Sequence, residues 1–100
     1  MSNRNNLLQY AYYNIGDNML NLVEPYINKL SKSDINNFAL NNNIKLNNNE
    51  LDFIYNFIKS RYKEVLNNPN GFNFTKYKNN FSNENFIKIN GLINRYKMLL

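Results

Sequence analysis

Seven carboxylates are the side chains of this sequence best suited to acid–base or metal chemistry, because cysteine, histidine and tryptophan are absent. That absence removes disulfides, thiol nucleophiles, Cys/His zinc sites and histidine proton transfer. Glu50 and Asp52 stand two residues apart and so point to different sides of a helix, while Asp34 and Glu84 are isolated. Hard cations need several converging oxygens, and neither an EF-hand loop nor an HExxH pattern is present. Each acid reads instead as a helix cap or part of a solvated face, which leaves paired-carboxylate catalysis as the minor reading. Gly16, Gly71 and Gly91 fit neither a phosphate-binding loop nor a dinucleotide fingerprint. The expectation is a non-enzymatic chain with no metal, no cofactor and no small-molecule substrate.

The cations carry more promise. Twelve Lys and Arg against seven Asp and Glu give a net charge of +5. The balance is uneven: residues 1–58 sum to −1 and residues 59–100 to +6. Lys76-Tyr77-Lys78 lies among Phe72, Phe74 and Phe81, and Lys88 and Arg95 are seven apart on one side of a helix that also carries Lys97. Cations for phosphate and rings for unpaired bases make Lys76, Tyr77, Lys78, Lys88, Arg95 and Lys97 a candidate face for RNA or single-stranded nucleic acid. Composition offers a plainer reading. The chain is Asn-rich: asparagine occurs 26 times, isoleucine and lysine nine each, tyrosine eight and phenylalanine seven. All five have A/T-rich codons, so lysine drift accounts for a basic balance. With no Trp, and Ala only at positions 11 and 39, Phe and Tyr must also fill the core.

The elements that would position these residues read as helices. Residues 1–18 form an N-terminal extension, in which Leu8, Tyr12, Ile15 and Met19 have the spacing of a short, frayed helix. The domain proper spans 19–100. Leu22, Val23, Tyr26, Ile27 and Leu30 keep helical spacing, and Pro25 is tolerated only if it opens the helix near Glu24. Ser31 or Ser33 caps a second helix through Ile35, Phe38 and Ala39 that dies in Asn41-Asn42-Asn43. Asn47 and Glu50 make a capping-box pair ahead of a long stripe of Leu51, Ile54, Tyr55, Ile58, Tyr62, Val65 and Leu66. A helix over 48–66 follows, with Ile58 buried and Lys59 dispensable. Asn67 to Gly71 breaks the chain, 72–81 is a short irregular helix, and Ser82 caps a last helix whose Gly91 allows a close helix crossing. The two helices over 34–42 and 48–66 outline a helix-turn-helix. However, Glu50 and Asp52 in the first turn of the second would face a polyanion.

One hundred residues at 11.9 kDa make one small domain, and 43% hydrophobic residues are too many for a disordered chain. No apolar run approaches the ~20 residues of a membrane span, and the start lacks a secretory apolar region, so the expected address is cytoplasmic. The architecture expected is all-α, a compact bundle of four or five short helices. Tyr10, Tyr12 and Tyr13 exceed what the core can cover and suggest a protein partner.

From Leu30-Ser-Lys-Ser-Asp-Ile-Asn-Asn-Phe-Ala39 through Asn43-Ile-Lys-Leu46 to Asn49-Glu-Leu-Asp-Phe-Ile-Tyr-Asn-Phe-Ile58, the order of signals resembles a bacterial family known as domain of unknown function 2624. The resemblance extends over about residues 30–100, excepting 67–81. It implies a short, all-helical, cytoplasmic protein of low-G+C bacteria with no assigned activity, and carries over no site residues. Function then reduces to two classes. The first is a protein-interaction module, and the alternative is nucleic-acid binding through the basic half.

Overall fold

The computed structural model describes residues 15–99, with side chains from Leu22 to Met98. The order is α1 (Ile15–Lys29), α2 (Lys32–Asn41), α3 (Asn48–Asn67), a 3-10 turn at Pro69–Gly71, a 3-10 stretch at Phe74–Asn80, and α4 (Asn83–Leu99). The described residues contain no strand, and the fold is an all-α bundle. Residues 1–14, including Tyr10, Tyr12 and Tyr13, lie outside the described residues.

Local chemistry sets most helix ends. Ser31 caps α2: its side chain accepts from the Asp34 N–H at 3.1 Å, and Asp34 accepts from the Ser31 N–H at 3.0 Å. The helix stops where Asn43 takes the left-handed conformation, φ 61°. The Ile44 and Asn43 N–H groups then return to the carbonyls of Ala39 and Leu40, the two bonds of a Schellman ending. This turn buries Ile44 to 2% exposure beside Ile35 and Ala39. Asn47 and Glu50 form the expected reciprocal cap of α3.

Several expectations differ from the structure. Pro25 lies inside α1 and does not open it. It supplies no N–H to the Asn21 carbonyl, yet the helix continues because α1 packs along α3. Lys59, expected to be dispensable, reaches from α3 to the C-terminal end of α1, where its ammonium donates to the carbonyls of Ile27 and Asn28. Gly91 marks no close crossing, since a Cβ built there meets nothing within 4 Å.

The rings pack against one another, with Phe74 and Phe86 buried in the core. Phe53 and Phe57 on α3 meet Tyr77 at 5.6 and 5.2 Å between centroids, and Phe57 meets Phe72 at 5.6 Å. Phe74 stacks on Phe86 of α4 at 5.1 Å with the planes 8° apart. This layer of rings joins α4 to α3, because α4 makes its main backbone approach to the 3-10 stretch.

Ile58, expected in the core, is only half-buried. Ile44→Ala is expected to cost ~2–5 kcal/mol in urea unfolding, and Ile58→Ala clearly less. Gly91→Ala gains a better helix former at an open position. It is expected to raise stability by up to ~1 kcal/mol, seen as a higher thermal midpoint.

Candidate functional site

Two helix beginnings meet at one carboxylate. Glu50 is 1% exposed and accepts at Oε1 from the Asn47 N–H (2.9 Å) and from Asn85 Nδ2 (2.8 Å). Its Oε2 accepts from the Ser82 N–H at 2.8 Å. Asn85 also donates to the Lys45 carbonyl at 2.8 Å, and its own N–H bonds the Ser82 hydroxyl. The starts of α3 and α4 and the loop before α3 are thereby fastened together. Burial pushes the Glu50 carboxyl upward, but the backbone N–H groups of Asn47 and Ser82 and the side chains of Asn85 and Ser82 outweigh it. The net result is a pKa below the ordinary glutamate value. Reading this acid as a cap was correct but incomplete, because its second oxygen serves a residue 32 positions away.

Beyond that junction lies an apolar cleft of about 630 Å³. Its floor is α3, through Ile54, Ile58, Tyr62 and Leu66. One wall comes from α1 and α2, including Val23, Ile27 and Phe38, and the other from the ring layer with Ile89 and Ile93 of α4. Of the polar lining residues, Tyr77 accepts at its hydroxyl from Arg61 (2.8 Å). Asp34 is held below the usual carboxylate range, first by the Ser31 N–H and then by its hydroxyl. A cleft of this size and lining suits apolar matter.

Cations sit on the rings that line it. The Arg61 guanidinium is 5.8 Å from the Phe57 centroid, Lys63 Nζ 5.9 Å from Tyr62, and Lys97 Nζ 5.6 Å from Phe72. Among the described residues no group of three acidic side chains could hold a metal ion.

The six candidate nucleic-acid residues are placed in different surroundings. Tyr77 is half-buried and stacks on Phe72, with centroids 6.3 Å apart. Lys97 shares that cluster and donates to the Phe72 carbonyl at 2.7 Å. Lys78 lies over Phe86 at 5.9 Å. Lys88, near the start of α4, donates to the Asn43 carbonyl at 2.9 Å and pairs with Glu84 at 3.2 Å. Lys76 and Arg95 are exposed. Sequence reasoning missed Arg61 and Lys63 as site residues, although Arg61 follows Phe57 by four positions, a spacing that brings side chains together on a helix.

The chain matches no protein-family model, no curated protein and no solved structure. No helix among the described residues is long and apolar enough to cross a membrane.

Because the folded state lowers the Glu50 pKa, its contribution to stability is complete above the unfolded value of ~4.3 and is lost as pH falls through the folded value. Acid unfolding followed by circular dichroism is expected to show a steep loss of stability below about pH 4.5. Glu50→Gln sets an amide NH₂ against N–H donors and is expected to cost ~1–3 kcal/mol at pH 7 while flattening that acid slope.

Proposed function

We propose that this protein is a non-enzymatic interaction module of the cytoplasm that receives a protein partner in the apolar cleft. The observation that carries this reading is the cleft itself: about 630 Å³ of apolar lining that the chain's own described helices leave open. An amphipathic helix laid into such a groove gains its affinity from apolar burial. The likeness to domain of unknown function 2624 is kept as a proposal of kinship and adds no activity.

The alternative is binding of RNA or single-stranded nucleic acid, supported by the exposure of Lys76, Lys78 and Arg95. The rings that would stack on bases are engaged with one another, which favours the protein reading.

A photo-crosslinking residue at Leu66, in the cleft, is expected to capture a protein in native cells, and one at Ile87, on the outer face of α4, to capture none. Nuclease treatment is expected to leave the Leu66 product intact. A nuclease-sensitive product, or single-stranded RNA binding that Lys76→Glu with Lys78→Glu abolishes and that falls steeply with salt, favours the alternative instead.

A further inference from the structure

We propose that the occupant of the cleft is an acidic amphipathic helix, its apolar face seated on α3 and its carboxylates set against Arg61, Lys63 and Lys97. This rests on the cleft being a protein-binding site and adds the charge of what it binds. Three lining rings, Phe57, Tyr62 and Phe72, each carry a cation over one face. The charged heads lie over those rings; Arg61 and Lys63 are exposed and free to meet carboxylates flanking an inserted apolar face, while Lys97 is also bonded to the Phe72 carbonyl. Residues 59–100 sum to +6, and the acid among the lining residues, Asp34, belongs to α2 on the other wall, where it caps the helix by accepting from the Ser31 N–H.

Other occupants fit less well. A second copy of this chain brings the same net +5 against the same rim, and like charges across an interface are disfavoured. A nucleic acid would press phosphates and base edges onto a floor of Ile54, Ile58 and Leu66, where polar groups lose water without gaining partners.

The test uses the full chain and two synthetic helices with the same leucine face, one flanked by glutamate and the other by lysine. Each is titrated by fluorescence anisotropy at low and at high salt. The glutamate helix is expected to bind at least about tenfold more tightly at low salt, with the gap narrowing as salt rises. Arg61→Glu with Lys63→Glu, both exposed positions, is expected to reverse the preference while the circular-dichroism melt stays cooperative. Equal binding of both helices, or a preference untouched by the reversal, overturns the acidic partner and leaves the cleft as a protein site. Binding of neither helix overturns the cleft reading as well. A chain that sediments as a dimer which neither helix dissociates assigns the cleft to a second copy and overturns the proposal.

Discussion

The fold depends on a buried carboxylate that must stay charged. Taking an ion out of water costs several kcal/mol, so Glu50 is tolerable only because every direction it faces supplies a donor. Two of those donors are backbone N–H groups at the beginnings of α3 and α4, where the helix dipoles favour negative charge. The third, Asn85, reaches on to the Lys45 carbonyl and so holds the loop that delivers Ile44 to the core. Remove the charge and two helix starts and a loop lose a common anchor.

From that anchor the rest of the shape follows. The beginnings of α3 and α4 are fastened together, and farther along rings lie between the two helices, with Phe74 stacked on Phe86 and Phe72 against Phe57. Rings are wide spacers, and helices separated by them cannot close over α3 as Ala-lined helices would. In a chain with alanine only at positions 11 and 39, an open apolar cleft is the geometric result of the available side-chain sizes. Near its far end α4 is tied by Lys97, which donates to the Phe72 carbonyl and lies over the Phe72 ring.

What was legible in the sequence was local. Caps at Ser31 and Asn47, the Asn-rich stop after Ala39, and the long stripe of α3 all depend on residues within a turn or two of each other. The presence of rings in the core, at Phe74 and Phe86, also followed from what the composition lacks. The misses involve distance along the chain. Pro25 is a strong local breaker, but contact with α3 overrode it. The capping box explained Glu50 fully at short range, which concealed its bonds to Ser82 and Asn85. A stripe shows which face of α3 is apolar, but not whether another helix covers it, so Ile58 was placed in a core that is in fact a cleft floor. Lysines counted as one positive face turn out to be divided, since Lys88 and Lys97 bond carbonyls at opposite ends of α4.

The many asparagines differ in how freely they can be exchanged over evolutionary time. Asn47, Asn68 and Asn73 act through a side-chain oxygen that accepts from a nearby N–H, and serine or aspartate can offer the same oxygen. Asn42 donates, but at the surface, where water can take its place. Asn85 is different, being 7% exposed and acting through its NH₂ on a carboxylate. Aspartate there would set two anions together in the interior, and serine would fall short of the Lys45 carbonyl. As a lineage drifts toward a different codon usage, asparagines such as Asn47, Asn68 and Asn73 can be replaced one at a time, but Asn85 can change only together with Glu50.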